Sequence, residues 1–370
     1  MHDRTPTLLC RHTYPKEVHM RFRFGPGTCP LRGIALLFAL ILIGGCQNSS
    51  TEPQISEEGR IQLKLALNWF PEPEHGGFYA AMFNGHFERE GLEVEILPGG
   101  PAAPVIEKLV REQVQFAVTN ADEVLLKRNQ QTDVVCIMAA LQHSPRCIMV
   151  HEGSGINRLE DLKDVTLAMN RGKAFAEYLE SKCELQNVRI VQYNGRIGPF
   201  VADNAYAQQA YVFSEPILAE REGATPKTLM VSELGFDPYT SCLAVTEDFA
   251  KESPETVERF VRACQKGWQD YLTDPSAVHA HLLTLNSELD SDSLEKAHLA
   301  ILPLCQTPAG MPLGALDPER WATLKRQLVG IDLVDAQLDE KQAFQGDFLD
   351  NIDLNDVSES NATSDGEVTE

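Results

Sequence analysis

The stretch 68–77, which reads Asn-Trp-Phe-Pro-Glu-Pro-Glu-His-Gly-Gly, carries side chains suited to recognising a small molecule. Trp69 offers a face for stacking, and His75 and two glutamates can hold or exchange protons. Gly76 and Gly77 allow the backbone to approach another group closely. The same residues also fit an ordinary loop with a core tryptophan and a bracing histidine, and this stretch alone does not decide between the two interpretations.

The elements around this stretch give it a position in a fold. Apolar residues at 61, 63, 65 and 67 alternate with others, which is typical of a half-buried strand, and the apolar run 78–83 indicates a helix. In open α/β sheets, ligands bind where strands end and helices begin. Trp69 and His75 are therefore candidate ligand-binding residues.

Polar side chains follow other predicted strands in the same way. A ligand-binding cleft needs only a few such groups. The candidates are Asn120, Asp122, Gln142 and Ser144 in the first part of the chain, and Asn170, Glu215 and Tyr239 further on. Helix capping would also explain Asn120 or Asp122, and a solvated surface position would explain Glu215.

Two of the charged residues point to different classes of ligand. Glu215 would pair with a cationic edge of a ligand, whereas Arg171 would favour an anion. The sequence leaves this choice open.

The order of the predicted elements indicates two α/β lobes. Strands and helices alternate from 61 to 150, a second alternating unit occupies 151–242, and a strand at 241–246 returns the chain to the first unit. We expect the first lobe to comprise 61–150 and 243–340, with hinges near 150–151 and 241–243. Within the second lobe, the pattern predicts a helix over 200–209 and a strand over 211–213.

Charge and cysteine spacing exclude some classes of function. The chain has 54 acidic and 32 basic residues and a formal net charge of -22, which argues against a nucleic-acid partner. Its nine cysteines form no C-x-x-C pair, so neither a zinc ribbon nor a thioredoxin-type site is supported. We expect neither a metal ion nor a cofactor.

The two ends of the chain have different patterns. Arginines at 21, 23 and 32 precede an apolar run at 33–43 that is too short for a membrane-spanning helix, as in an export signal. Residues 43–46 resemble the bacterial lipobox, which implies lipidation of Cys46, a signal peptide over 1–46 and a tether over 47–60; a plain signal peptide is the alternative, and Met1 and Met20 both fit as the start. Residues 347–370 are acidic, and we expect a disordered tail.

The element order resembles the two-lobed periplasmic-binding-protein fold of type II, in which each lobe is a sheet flanked by helices. Several motifs together resemble the substrate-binding proteins of ABC importers, in the branch of pyrimidine-precursor, nitrate and sulfonate binders. They are the stretch 68–77, Gly85-His86-Phe87, Asn120-Ala121-Asp122, Gln142 with Pro145, and Gly267-Trp268 with Asp274-Pro275. The resemblance covers about 61–330.

This resemblance implies a monomer that is exported and lipid-anchored to a membrane. It would close its lobes on a small-molecule ligand, a thiamine-related pyrimidine precursor, and deliver it to an ABC permease. Riboflavin, nitrate and sulfonates are the alternative ligands.

The same branch also contains an enzyme, the fungal thiamine-pyrimidine synthase, which uses a pyridoxal-phosphate lysine and a sacrificial histidine. Thr119 and Glu123 stand at the matching positions here, so neither supplies an amine for a Schiff base. Of the enzyme's cysteine-rich iron segment only Cys242 remains. These departures predict a protein that is not an enzyme, and a sensory or scaffold lipoprotein without a ligand stays as a further alternative.

Overall fold

The structure, a computed structural model, describes residues 54–349. The expected signal peptide, the lipidation site at Cys46 and residues 350–370 lie outside the described residues. Within 54–349, no helix is both long and apolar enough to cross a membrane.

Two five-stranded sheets form the centres of two lobes. The first sheet contains, from edge to edge, β2 (Leu92–Leu97), β1 (Ile61–Ala66), β3 (Phe116–Thr119), β10 (Thr240–Val245) and β4 (Val135–Leu141). The second contains β7 (Arg189–Val191), β6 (Thr166–Ala168), β8 (Tyr206–Tyr211), β5 (Arg146–His151) and β9 (Pro226–Met230). The three strands named first in each sheet, β2-β1-β3 and β7-β6-β8, are parallel. The strand that enters from the other lobe, β10 in the first sheet and β5 in the second, is antiparallel to both of its neighbours. The two α/β lobes predicted from the sequence are confirmed.

Helices connect the strands and complete the first lobe after the chain returns to it. Those of the outgoing chain are α1 (Gly76–Phe83), α2 (His86–Arg89), α3 (Val105–Val110), α4 (Ala121–Asn129), α5 (Ala174–Lys182), α6 (Gly198–Ala202) and α7 (Glu215–Arg221). Those that follow β10 are α8 (Glu247–Glu252), α9 (Pro254–Thr273), α10 (Ser276–Leu285), α11 (Ser291–Ile301) and α12 (Pro318–Gly330).

The chain passes between the lobes at 142–145 and at 231–239. Because β5 pairs with β8 and β9, residues 146–150 belong to the second lobe, whereas the sequence pattern placed them in the first. The expected hinges at 150–151 and 241–243 therefore lie inside β5 and β10. The pattern misplaced the boundary because both β4 and β5 are buried apolar strands, and the short polar break between them resembles a turn within one sheet.

The predicted helix over 200–209 is wrong. Only Gly198–Ala202 is helical, and Tyr206–Tyr211 forms the central strand of the second sheet. Gln208 and Gln209 suggested a helix because glutamine is a good helix former, but both are buried in this strand. Its burial on both faces removes the alternation that identifies a half-exposed strand.

Both ends of the described chain extend the fold beyond the expected boundaries. Ile55 forms a β-bridge with Ile61, so the end of the expected tether folds back on β1. Phe348 is buried against the core of the first lobe, so order continues past the expected start of the tail at 347. Burial of the apolar Phe348 side chain stabilises the second extension. Ile55 is exposed, and backbone hydrogen bonds hold its segment instead.

Close contact between α1 and α9 fixes the helix that follows stretch 68–77. A Cβ at Gly76 would overlap the Tyr271 ring, and one at Gly77 would overlap the Trp268 indole. A Cβ at Gly267 would in turn overlap the Gly77 carbonyl. The glycines thus allow two helices to approach, with both aromatic rings fully buried, rather than bringing the backbone towards a ligand.

We expect Gly77→Ala to destabilise the protein by about 1–3 kcal/mol, because the added methyl group overpacks the α1–α9 contact. Gly330→Ala is the matched control, since its Cβ would meet nothing within 4 Å at the end of α12. Urea unfolding of both variants measures the difference. Equal stability of the two variants would contradict this interpretation of the contact.

Candidate ligand-binding site

Polar contacts join the two lobes where the ends of their strands face each other. Lys173, at the start of α5, places its Nζ 2.7 Å from Glu123 Oε1, in the first turn of α4. The Ser214 hydroxyl donates to Glu72 Oε2 at 3.3 Å. Each contact links one lobe to the other, so together they frame a cleft.

The first lobe contributes carboxylates to this cleft. Glu72 and Glu74 are 6 % and 0 % exposed and lie in the loop between β1 and α1, while Asp122 and Glu123 lie in the first turn of α4. The Thr119 hydroxyl donates to Glu123 Oε2 at 3.0 Å. Burying this many carboxyl groups costs free energy unless cations or donors face them.

Several buried oxygens of the first lobe have no hydrogen-bond donor within 54–349. They are both carboxylate oxygens of Glu74 and the Oδ1 atom of Asn120. His75 Nε2 lies 3.0 Å from Glu74 Oε1, but it is aligned on Asn68 Oδ1 at 2.9 Å. Unpaired buried acceptors are uncommon, and those in a cleft can accept hydrogen bonds from a ligand.

The loop that carries these acids is held to the first sheet at Ser241. The Ser241 hydroxyl donates to the backbone carbonyl of Glu74 at 3.0 Å. Ser241 has a φ of 51°, a left-handed conformation that is uncommon for a residue other than glycine. This strained position at the start of β10 thus fixes the backbone beside the acids.

The second lobe contributes cations and aromatic rings. The guanidinium carbon of Arg146 lies 4.4 Å from the Phe175 ring centroid and 4.5 Å from that of Tyr211. Its Nη2 donates to the Tyr211 hydroxyl at 3.0 Å. Glu215 accepts hydrogen bonds from the Tyr193 hydroxyl and, at 2.8 Å, from the backbone N–H of Tyr211.

The electrostatics of the cleft are acidic. Burial raises the pKa of Asp122 to about 6, and Glu123 adds to this shift, while Arg146 and Lys173 oppose it. Burial also raises the pKa of Glu72, with contributions from Glu74 and Glu215. The pKa of the Glu215 carboxyl is raised by burial, although hydrogen bonds from Tyr193 and Tyr211 act against it.

Several residues predicted from the sequence lie around this cleft. Trp69 is half-buried, with its ring edge-on to Phe70 at 5.5 Å between centroids. Asn120 and Asp122 follow β3, and Asn170 follows β6, where its Oδ1 accepts a hydrogen bond from Gln192. The Asn120 side chain makes no capping hydrogen bond to α4, so capping does not explain it.

Other predicted residues serve as braces. Gln142 donates to the carbonyls of Ala139 and Ala315, and the Ser144 hydroxyl accepts from the Arg146 N–H. The Tyr239 hydroxyl accepts from the Asp317 N–H, and the Arg320 guanidinium lies 3.9 Å from the Tyr239 ring centroid. His75 is fully buried beside Asn68. The structure thus uses these four side chains to hold the loops and crossings.

Sequence reasoning missed the two cations of the cleft, Arg146 and Lys173. The signal for Arg146 was present, because it is the only charged residue in the run 134–150 and follows Pro145 directly. An isolated charge at the start of a buried strand needs a partner, and its partners come from distant segments. Lys173 lies in the polar turn 170–173, where it resembles an ordinary surface residue.

The first comparison with known proteins gives a family match. The family model described as "NMT1/THI5 like" matches residues 72–278 of this chain. The match begins at Glu72, within the loop between β1 and α1, and includes the entire second lobe and all of α9.

Curated relatives match over most of the chain. The riboflavin-binding protein RibY of Chloroflexus aurantiacus is 24% identical over 78% of this chain and 86% of its own length. The formylaminopyrimidine-binding protein of Halalkalibacterium halodurans is 24% identical over 84% of this chain and 97% of its own. The 4-amino-5-hydroxymethyl-2-methylpyrimidine phosphate synthase of Legionella pneumophila is 22% identical, over 80% and 95%.

Solved structures share the fold. The periplasmic aliphatic sulphonate binding protein SsuA from Escherichia coli superposes with a TM-score of 0.62 at 13% identity, covering 77% of this chain and 92% of that one. The expected two-lobed periplasmic-binding-protein fold is thereby confirmed.

We expect Asp122→Asn to stabilise the ligand-free protein at pH 7.5 by roughly 1–3 kcal/mol, allowing for the partial exposure of the side chain. The folded state holds the Asp122 proton more tightly than the unfolded chain, so the wild type loses stability as the pH rises from about 4 through 6. The variant lacks this loss, and the two proteins should converge near pH 4.

Urea unfolding between pH 4 and 8 measures this difference, with the exposed Asp161→Asn as the control. If the stabilities of the wild type and Asp122→Asn change with pH in parallel, the pKa of Asp122 is not raised in the folded state and the prediction is wrong.

Proposed function

This chain belongs to the NMT1/THI5-like family, and on that premise we propose that it is an extracytoplasmic solute-binding lipoprotein of an ABC importer. It captures a thiamine-related pyrimidine precursor between its lobes and presents it to a membrane permease. The observation that carries this proposal is the excess of buried carboxyl groups, some without donors, in a cleft framed by both lobes.

The chemistry of an aminopyrimidine suits these carboxyl groups. Its exocyclic amino group donates hydrogen bonds, and its ring nitrogen accepts one or takes up a proton. A carboxyl group with a raised pKa, such as that of Glu72, Asp122 or Glu215, can pair with both edges of such a ring. Trp69 would provide a stacking face, and Asn120 Oδ1 is free to accept a further hydrogen bond.

The surroundings of Arg171 argue against an anionic ligand such as nitrate or a sulfonate. Its side chain is 61 % exposed and is paired with Glu180 through two hydrogen bonds. The residue that would have favoured an anion is therefore engaged on the surface. A flavin, which is flat and rich in donors and acceptors, is the second candidate, supported by the riboflavin-binding relative.

The crossings between the lobes suit a hinge. Asp237, in the second crossing, accepts from the Ser144 N–H at 2.7 Å and lies 2.8 Å from His143 Nδ1 in the first. Arg320 donates to the carbonyls of Gln142 and Asp237. Because the crossings are bonded to each other, they would move as one unit when the lobes open and close.

A synthase-type enzyme is the less favoured alternative, although a relative carries that name. Thr119 and Glu123 bond to each other where the enzyme has its lysine and histidine. Lys173 is an amine beside Glu123, but its pKa is raised by that carboxylate against the opposing effect of burial. Schiff-base formation needs an unprotonated amine, so Lys173 is poorly suited to replace the missing lysine.

We expect a formylaminopyrimidine to raise the melting temperature of the protein purified from Gln47 onward, with a stabilisation of roughly 2.7 kcal/mol at 100 times Kd. Trp69→Ala and Glu215→Gln should abolish the gain, because they remove the stacking face and a carboxylate. Nitrate and alkanesulfonates should leave the melting curve unchanged.

Phe83→Ala is the matched control for Trp69→Ala, since Phe83 is a partly exposed aromatic residue outside the cleft. Riboflavin tests the second candidate in the same assay. Failure of pyrimidines and flavins alike to shift the melting temperature would refute the proposed ligand class.

We also expect Cys46→Ser to move the protein from the membrane fraction to the soluble extracytoplasmic fraction, because the thioether-linked lipid would be lost. Fractionation and mass spectrometry of the mature N-terminus measure this. An unlipidated N-terminus in the wild type would refute the anchor while leaving the ligand proposal intact.

A further inference from the structure

Arg146 is placed in the cleft in an unusual way. It begins β5 directly after the first crossing, and its guanidinium contacts the Phe175 and Tyr211 rings at 4.4 and 4.5 Å. A guanidinium is flat and cationic, and stacking on aromatic faces is one of its favoured contacts. An aminopyrimidine cation would make the same kinds of contact.

Arg146 also faces acids from both lobes. Burial alone would lower the pKa of the guanidinium, but Tyr211, Asp122, Glu215 and Glu123 more than offset this and raise it. Asp122 and Glu123 belong to the first lobe, and Glu215 belongs to the second. Arg146 therefore bridges the lobes electrostatically.

We propose that Arg146 is a specificity-determining residue that acts as a built-in competitor. Its guanidinium occupies the position between the aromatic rings and the first-lobe acids that a flat cationic group of the ligand takes on binding. This inference rests on the proposed function, and it goes further by assigning the ligand's cationic edge to the Arg146 position.

Two consequences follow for ligand selection. A ligand binds only if its own cationic or hydrogen-bond-donating edge replaces the contacts that Arg146 gives up, so anionic molecules are rejected. When a ligand displaces the Arg146 guanidinium, that group must form new contacts with another protein group or with water. The free energy needed to break its original contacts lowers the affinity for every ligand. Removing the side chain should therefore increase affinity, whereas a direct ligand contact would predict the opposite.

The first experiment needs no knowledge of the natural ligand. Methylguanidinium, at low millimolar concentration, is added to Arg146→Ala, to wild type and to Arg171→Ala, which loses an exposed arginine of the same lobe. We expect it to raise the melting temperature of Arg146→Ala only. Equal responses of all three proteins would overturn the proposal.

The second experiment measures formylaminopyrimidine affinity by calorimetry. We expect at least a tenfold gain for Arg146→Ala over wild type and no change for Arg171→Ala. A loss of affinity or an unchanged value would overturn the competitor role. Methylguanidinium could raise the melting temperature of Arg146→Ala while no pyrimidine or flavin binds any variant. That result would support a site for a flat cation at the Arg146 position and would refute the proposed function.

Arg146→Lys covers the case in which Arg146→Ala does not fold. Lysine keeps the charge but lacks the flat group that stacks on both rings, so its affinity should lie between those of wild type and alanine variant. In the wild type, the Arg146 side-chain NMR signal should lose its ring-current shift when pyrimidine saturates the cleft. A shift that persists at saturation would overturn the proposal.

Discussion

Attraction between the acids of one lobe and the cations of the other governs this structure. The first lobe presents Asp122 and Glu123, and the second presents Arg146 and Lys173 across the cleft. Ion pairs at a solvent-exposed surface contribute little, but pairs in a partly dry cleft interact more strongly. These contacts therefore favour a close approach of the two lobes.

The acids of the cleft are poorly compensated. Glu72 and Asp122 have raised pKa values because burial and neighbouring carboxylates disfavour their charged forms. Such groups reduce the stability of the ligand-free protein, and natural binding sites commonly accept this cost in exchange for affinity. The strained Ser241 backbone and the tight α1–α9 packing hold the loop that carries Glu74 in place. The packed helices and the Ser241 hydrogen bond therefore hold the loop in place, although its carboxylates are buried close to one another.

The sequence predicted much of the fold because its signals are local. The alternating strand β1 and the apolar run that forms most of α1 follow from short-range patterns, and the structure confirms them. It could not predict that 206–211 is a strand, because Gln208 and Gln209 favour a helix locally and only burial between two strands overrides that preference.

Local signals were also insufficient to predict the contacts across the cleft. Trp69, Asn120 and Asp122 were candidates because each follows a predicted strand, which is a local signal. The pairing of Lys173 with Glu123 joins positions 50 residues apart, which no local signal predicts.

The hydrogen bond between Thr119 and Glu123 lies where, by the resemblance, the related synthase has its lysine and histidine. A Schiff base requires an amine that loses its proton, which a hydrophobic pocket or a nearby cation promotes. Here the matching positions hold a hydroxyl and a carboxylate, and that carboxylate raises the pKa of the neighbouring Lys173 amine. The charge that draws the lobes together is thus the charge that disfavours a nucleophilic lysine. An acidic cleft suits recognition of a cationic ring, and the same electrostatics oppose covalent chemistry on an aldehyde cofactor.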